Sequence, residues 1–385
     1  MDATPAPSTQ IQMTGAARAV ALEVLLRGPV SRSRIAQRLG LSAGSLTRLT
    51  RPLVDAGLLV EEDSGPDRES RAGRRSRPLA VNPAAYHFLG VKVTGDAVHA
   101  VLTNLRAEAL TSARRPLTDR GPASVVAAVR ELADECTAGG PPVSRVGVSL
   151  GGHVREHTTV ITAPFLGWTG EVPLGGLLSK TLSLPVVVDN DLLALTRAEH
   201  WFGAARGHDR CAVLTIGSGI GYGLVMHDTV VDSPDAGIGL LSHVPLDPLG
   251  PLCPDGHRGC ATAMLTQSSL CAAVSVGLRR PVSYEECLDL AASGDPVAAR
   301  VVTDAGRALG RLVAAIANFT LVRKIVLAGE GVRLAEVARA AVDEAVREGR
   351  TPSAVPLQLD IRESDFTHWA RGAATTAIQA HVLDM

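Results

Sequence analysis

Several features that mark common protein classes are scarce or missing in this 385-residue sequence. Aromatic residues make up only 3% of the chain, so leucine, valine, isoleucine and alanine must build its core. The six cysteines are spread too widely for the disulfide framework of a small secreted domain. No uncharged apolar run of roughly 18 residues is present to span a membrane, and the N-terminus lacks the basic start and apolar segment of a signal peptide. We therefore expect a soluble cytoplasmic protein.

Lysine is also scarce, since it occurs only at positions 92, 180 and 324, and arginine supplies the other positive charges. Residues 1–80 hold 12 arginines and 8 acidic residues, about +4, whereas the remainder is about −5 and the whole chain −1. An arginine-rich codon habit explains the choice of arginine but not this asymmetry. A basic N-terminal segment followed by an acidic remainder is typical of a protein with an N-terminal nucleic-acid-binding module.

The first 80 residues carry the pattern of three short helices. After residues 1–13, which are rich in proline, serine and threonine and are expected to be disordered, a helix begins at Thr14 and ends at Gly28-Pro29. Ser31 and Ser42 are suited to cap the second and third helices. Within the third helix, Pro52 removes one backbone donor and is expected to kink or weaken it.

Two short strands, GLLVEE and RPLAVNP, flank a polar loop after the third helix. Three helices and a β-hairpin predict a winged helix-turn-helix domain over residues 14–80. The outer side of its third helix is predicted to read DNA with hydroxyls and guanidiniums, which reach base edges and phosphates. The arginine-rich wing is predicted to enter a minor groove. The residues assigned to DNA binding are Ser42, Ser45, Thr47, Arg48, Arg51, Arg71, Arg74 and Arg75. A protein-binding three-helix module with a solvated basic loop is the alternative.

The rest of the chain alternates buried strands with helices, which predicts an α/β fold. FLGVKV, RVGVSLGG and LPVVVDND are predicted strands of a first lobe over residues 81–200. CAVLTIGSGIGYGLV and KIVLAGEGV belong to a second lobe over residues 201–385, whose final helix could pack back on the first lobe. A cleft is expected between the two lobes.

Residues 88–385 resemble the ROK family of repressors, open reading frames and sugar kinases, and the helix-turn-helix in front matches its repressor branch. FLGVKVTGDAVHAVLTNL lies where the family has its first phosphate-binding hairpin, and LTIGSGIGYGLV matches the second Gly-rich phosphate turn. SHVPLDPLGPLCPDGHRGC matches the zinc-loop signature, here residues 243–260. The order and spacing of these segments make the resemblance specific.

The resemblance also shows where the kinase machinery is altered. The family's metal-handling aspartate is Lys92 here, and a lysine cannot hold Mg²⁺. Two positions that are glutamates in the family's sugar site are Leu240 and Thr262. The resemblance therefore implies loss of kinase activity. The glycines of GSGIGYG are retained, and a tight hairpin is the simpler interpretation of them.

Part of the family's sugar site is retained. The resemblance assigns Asn190, Asp191 and His243 to ligand binding, with Asp191 matching the family's general base. A polar strand end that caps the next helix is the alternative interpretation of Asn190-Asp191.

The zinc loop is altered at one ligand. The resemblance implies a structural Zn²⁺ site formed by His243, Cys253, Asp255 and Cys260, in which Asp255 replaces the family's second cysteine. His257 is another candidate for the fourth ligand, and a metal-free loop held by its glycines is the alternative. The remaining cysteines, at 136, 211, 271 and 287, are expected to be small buried hydrophobes.

These observations predict a transcriptional regulator, most naturally a repressor, that binds an operator in double-stranded DNA as a homodimer or homotetramer. Its ROK domain is expected to sense a sugar or another small molecule. A regulator whose ROK domain is only an oligomerisation scaffold is one alternative, and an active ATP-dependent sugar kinase is another.

Overall fold

A computed structural model describes residues 15–62, 77–233, 235, 239–363 and 365–383 of the chain. Within these residues, no helix combines the length and apolar character that crossing a membrane requires. The predicted disordered N-terminus and most of the predicted wing lie outside the described residues.

The N-terminal domain has the three helices and the hairpin that the sequence predicts, so the winged helix-turn-helix is confirmed. Its helices pack around Val20, Ile35 and Leu46, all of which are buried. The two strands pair antiparallel, with Leu59 opposite Val81. The elements are α1 (Gly15–Arg27), α2 (Arg32–Leu39), α3 (Ala43–Asp55), β1 (Leu59–Glu61) and β2 (Leu79–Val81).

Capping by serine fixes where α2 and α3 begin. The Ser31 hydroxyl accepts the backbone N–H of Arg34 at 3.4 Å, and the Ser42 hydroxyl accepts that of Ser45 at 3.1 Å. Gly40 ends α2 in the left-handed region at a φ of 64°, where glycine is favoured. These contacts set the turn that holds the two helices of the motif.

Pro52 lies inside α3, which continues through this residue to Asp55, and the expected kink or weakening stays a prediction. The proline removes only the hydrogen bond to the carbonyl of Arg48, on an exposed side of the helix where water can replace it. The next bond of the ladder re-forms, since Ala56 donates its N–H to the Pro52 carbonyl at 3.0 Å.

A five-stranded sheet forms the first lobe, in the order β5-β4-β3-β6-β9, with β3, β6 and β9 parallel. Helices cover it, and a small separate hairpin, β7-β8, precedes α5. The elements are β3 (His87–Val93), β4 (Ala97–Asn104), β5 (Ala109–Pro116), α4 (Pro122–Thr137), β6 (Arg145–Leu150), β7 (His153–Arg155), β8 (Thr159–Thr162), α5 (Leu174–Leu182), β9 (Val186–Asn190) and α6 (Asp191–Trp201).

A second five-stranded sheet, in the order β12-β11-β10-β13-β14, forms the other lobe. The Gly-rich segment is the tight turn between β10 and β11, which pair antiparallel. The elements are β10 (Arg210–Ile216), β11 (Ile220–Met226), β12 (Thr229–Val230), α7 (Ala261–Leu265), α8 (Gln267–Leu278), α9 (Tyr284–Ala292), α10 (Pro296–Thr320), β13 (Lys324–Ala328), α11 (Arg333–Val337), α12 (Arg339–Glu348), β14 (Gln358–Ile361) and α13 (Phe366–Leu383). Two α/β lobes behind a winged helix-turn-helix confirm the predicted fold class.

The last helix, α13, lies on the sheet of the first lobe although it follows the second lobe in sequence. The close approach depends on glycine: a Cβ at Gly90 would lie 2.1 Å from the Ala370 carbonyl oxygen, and one at Gly147 would lie 1.9 Å from that of Ala373. The helix ends beside α1, where Arg18 donates to the Leu383 carbonyl at 3.4 Å. It therefore joins the first lobe to the N-terminal domain.

Candidate functional site

The outward face of α3 is open and polar. Ala43, Gly44, Thr47, Arg48 and Arg51 are exposed, while Leu46 and Leu53 point into the domain core. The small residues at the start of the helix leave room for close approach to a groove. This face has the shape and chemistry that insertion into a major groove requires.

The hydroxyls of this face are partly engaged within the helix. Thr47 donates its hydroxyl to the Ala43 carbonyl at 2.9 Å, and the Ser42 and Ser45 hydroxyls lie 3.0 Å apart at the N-cap. Ser42 and Ser45 therefore position the N-terminal end of the helix. The guanidiniums of Arg48 and Arg51 are the groups of this face that extend furthest towards solvent.

The two arginines of α3 differ in their partners. Arg51 Nε lies 3.7 Å from a carboxylate oxygen of Asp55, one helical turn further on. No carboxylate in the described part of the chain pairs with Arg48. Elsewhere in the domain Arg38 and Arg32 are bound by Glu23 and Glu61. Arg48 thus has a charge that is available to an acidic partner, as does Arg34 on α2, which is also exposed and pairs with no carboxylate of the described residues.

The wing arginines Arg71, Arg74 and Arg75 lie outside the described residues, so their assignment to DNA binding remains a prediction. The base of the wing is described: the Arg32 guanidinium contacts the Arg77 carbonyl at 3.4 Å and Glu61 at 2.6 Å. These contacts fix where the wing leaves the domain.

Asn190 and Asp191 lie where β9 meets α6, at the end of the first sheet. The Asn190 Oδ1 accepts the N–H groups of Leu192 and Leu193 at 2.9 and 3.2 Å, and its Nδ2 donates to the Gly152 carbonyl at 2.8 Å. Asn190 therefore caps α6, as the alternative interpretation expected.

Asp191 is held by Lys92. The Lys92 ammonium donates a hydrogen bond to Asp191 Oδ2, with only 7% of the lysine side chain and 18% of the aspartate side chain exposed. The same ammonium lies 5.2 Å from the ring centre of Trp369 on α13, a cation–π contact. The lysine that the resemblance aligns with the family's metal-handling aspartate thus pairs with the aspartate that the resemblance aligns with the general base.

The two positions that the resemblance aligns with glutamates of the family's sugar site are Leu240 and Thr262. Thr262 donates its hydroxyl to the Ser242 carbonyl at 2.8 Å and is committed to the loop backbone. The Leu240 side chain is exposed, with a relative accessibility of 67%. Neither residue can replace the hydrogen bonds that a glutamate gives to a sugar hydroxyl.

The Gly-rich turn after β10 binds a carboxylate side chain of the same protein, that of Glu330. The Glu330 carboxylate accepts the backbone N–H of Ser218 at 2.9 Å and its hydroxyl at 3.1 Å. It lies so close that a Cβ on Gly217 would be 2.3 Å from the Glu330 carboxyl carbon. Backbone N–H groups in such turns are the donors that cradle phosphate. Sequence reasoning missed Glu330, although its place between Gly329 and Gly331 was a signal.

The loop after β12 brings His243, Cys253 and Cys260 together, with one ligand atom of each within 4.8 Å of the others. Both cysteines are free thiols. Although desolvation opposes ionisation, hydrogen bonds from His257 and other neighbours lower the pKa of Cys253 to about 6. Burial raises the pKa of Cys260, so Cys253 is the thiol of the two that ionises more readily. Because zinc accepts imidazole nitrogen and cysteine sulfur, this group has the chemistry of a zinc site.

Two family models match the chain in separate regions. The model described as the ROK family matches residues 88–379, and the model described as the MarR family matches residues 11–68. The second match coincides with the winged helix-turn-helix, and the first with the two lobes.

Individual relatives agree with this division. The chain is 23% identical to the DNA-binding transcriptional repressor Mlc of Escherichia coli K12, over 97% of this chain and 95% of the repressor. The crystal structure of a ROK family transcriptional regulator, described as a homologue of Mlc, superposes with a TM-score of 0.79 at 26% identity and 96% coverage of both chains. A ROK hexokinase from Thermus thermophilus superposes with a TM-score of 0.66 at 25% identity and covers 78% of this chain and all of its own.

Proposed function

We propose that this chain, which belongs to the ROK family, is a transcriptional regulator that binds operator DNA through α3. The observation that carries the proposal is the Arg48 guanidinium, which pairs with no carboxylate of the described residues and lies on the open face of the capped helix α3. The match of the whole chain to a repressor and to a regulator of the same family supports it. The seven other arginines and hydroxyl residues predicted to bind DNA belong to the same proposal.

Sequence-specific binding is testable without knowledge of the operator. The purified chain is mixed with a pool of random DNA duplexes, and the bound fraction is amplified and sequenced over several rounds. We expect one sequence to be enriched as an inverted repeat, because a homodimer presents two α3 helices related by a two-fold axis. A pool that stays random after selection would remove the proposal.

The ROK domain is proposed to sense a sugar or a related small molecule and to assemble the homodimer or homotetramer. Trp369, near the N-terminal end of α13, contacts Lys92, and His368 Nε2 lies 2.8 Å from the buried Glu199 carboxylate. At the other end of the helix, the His381 ring lies 4.5 Å from that of Tyr86, beside the DNA-reading domain.

A ligand that shifts the first lobe would therefore move α13 and, with it, α1. Linkage of this kind changes operator affinity only as far as the ligand distinguishes the two arrangements. The eroded sugar contacts at Leu240 and Thr262 favour the second candidate, in which the ROK domain is a scaffold without a ligand. A rise in melting temperature with one member of a sugar panel would decide for sensing.

The chain is proposed not to act as a kinase. Lys92 occupies the family's metal position, and the Glu330 carboxylate takes the donors of the second phosphate turn. A phosphate brought to that turn would meet a like charge as well as lose its hydrogen-bond donors.

This gives a direct prediction about nucleotide. We expect Mg²⁺–ATP to leave the melting temperature of the natural chain unchanged and no sugar in a panel to cause ATP consumption above a protein-free blank. Coupled assays measure ADP release. Sugar-dependent ADP formation that persists through purification and disappears in Asp191→Asn would overturn the proposal.

The loop of residues 243–260 is proposed to hold a structural zinc ion through His243, Cys253 and Cys260. Zinc accepts imidazole nitrogen and thiolate sulfur and prefers four ligands in structural sites. Asp255 and His257 compete for the fourth position.

A further inference from the structure

The loop of residues 243–260 offers a fourth nitrogen beside the three grouped ligands. His257 Nδ1 lies 3.1 Å from His243 Nδ1 and 3.6 Å from Cys253 Sγ. His243 Nδ1 in turn lies 3.8 Å from each cysteine sulfur. Zn–N bonds of about 2.0 Å and Zn–S bonds of about 2.3 Å in a tetrahedron separate the ligand atoms by about 3.3–3.8 Å. These four separations are close to that range. His257 lies outside the group whose ligand atoms are all within 4.8 Å of one another, so its ring has to move towards Cys260 to complete the tetrahedron.

Asp255 lies on a different side of His243. Its carboxylate oxygen is 3.5 Å from His243 Nε2, the ring nitrogen that faces away from Cys253 and His257. A carboxylate at the far nitrogen of a metal-binding imidazole fixes the ring orientation and the tautomer and raises the basicity of the ligand nitrogen. In this arrangement Asp255 acts on His243 and does not take a place beside the two sulfurs.

A closed turn explains why His257 joins the group. Cys253 donates its N–H to the His257 carbonyl at 2.9 Å, and Gly256 donates to the Cys253 carbonyl at 2.9 Å. Gly256 has a φ of 85°, which a residue with a side chain rarely adopts. The turn brings Cys253 and His257, four positions apart, to the same side, while Asp255 stands between them at the tip.

We propose that the zinc ligands of this chain are His243, Cys253, His257 and Cys260, and that Asp255 orients His243 from outside the ligand set. The family's lost second cysteine is thereby replaced by a histidine two residues further along. This assignment rests on the proposed zinc site but not on DNA binding. Both nitrogens of His243 are then committed, so His243 does not contact an effector.

Zinc K-edge X-ray absorption on the purified full-length chain tests the assignment. We expect two sulfur and two nitrogen scatterers and the outer-shell signal of two imidazole rings. Two sulfurs with a single imidazole and an oxygen would overturn the His257 assignment while leaving the zinc proposal standing. Absence of zinc after purification in zinc-containing medium, with no uptake on titration, would overturn both.

Variants separate ligand from positioning residue. We expect Asp255→Asn to keep one zinc per chain, with a zinc affinity in chelator competition lower by on the order of 10–100-fold. Its X-ray absorption spectrum should still show two imidazoles. His257→Ala should lose more affinity than Asp255→Asn and leave the signal of one imidazole. His227→Asn, an exposed histidine outside the loop, should change neither quantity. Loss of zinc in Asp255→Asn together with tight binding in His257→Ala would contradict the proposal.

Discussion

Replacing Arg48 with alanine is expected to weaken specific DNA binding by about 1–3 kcal/mol, which is roughly a 5–150-fold increase in Kd. Arg48 is the α3 arginine that no carboxylate of the described residues neutralises, so its full charge and its planar donor fork are available to a base edge or a phosphate. Fluorescence anisotropy on the selected duplex measures the change in affinity.

Three further variants test whether the effect of Arg48→Ala is specific to this side chain. Arg51→Ala should cost less than Arg48→Ala, because Asp55 already lies 3.7 Å from the Arg51 guanidinium. Arg48→Lys should keep the salt dependence of binding, because it keeps the positive charge. It should lose sequence preference, because lysine lacks the planar guanidinium that donates two parallel hydrogen bonds to a base. Arg300→Ala, an exposed position on α10, is the matched control. Unchanged affinity and preference in Arg48→Ala would remove the recognition-helix assignment.

Replacing Lys92 with methionine is expected to lower the free energy of unfolding by about 3 kcal/mol, the low end of the range for breaking a buried ion pair. The substitution keeps the apolar stem beside Trp369 but leaves the Asp191 carboxylate, 18% exposed, without its cation. Chemical denaturation of the two proteins measures the difference.

A double variant tests the stated cause. Lys92→Met with Asp191→Asn should recover most of the loss, because no charge is then left buried without a partner. Lys180→Met, on the exposed end of α5, should have no more than a small effect. Equal destabilisation in the single and the double variant would show that the pair does not stabilise this site.

The N-terminal domain could be predicted closely because its signals are local. Ser31, Gly40 and Ser42 determine helix ends through contacts within a few residues, and the spacing of Leu46 and Leu53 identifies the buried side of α3. The energetic effect of Pro52 lies beyond such local signals, because the cost of a missing N–H depends on whether water reaches the freed carbonyl, and exposure is a tertiary property.

The Lys92–Asp191 pair, the Gly-rich turn and the metal loop depend on contacts between segments that are distant in sequence. Nothing near Lys92 in sequence indicates that Asp191 receives its ammonium, 99 residues further along. Glu330 meets the Ser218 turn from 112 residues away. At the loop, the sequence assigns the fourth position to Asp255 and keeps His257 as another candidate, and the fold of the turn is what leads us to propose His257 instead.

We propose that one chain joins a DNA-binding N-terminal domain to an effector-responsive ROK domain. The most direct test of this proposal is an anisotropy titration of the purified protein on the selected duplex, with and without a panel of sugars and sugar phosphates. We predict a Kd of about 10⁻⁸ M or lower at physiological salt, resistant to competitor DNA and raised by one compound of the panel. Binding of equal strength to the selected and to a scrambled duplex would contradict the account.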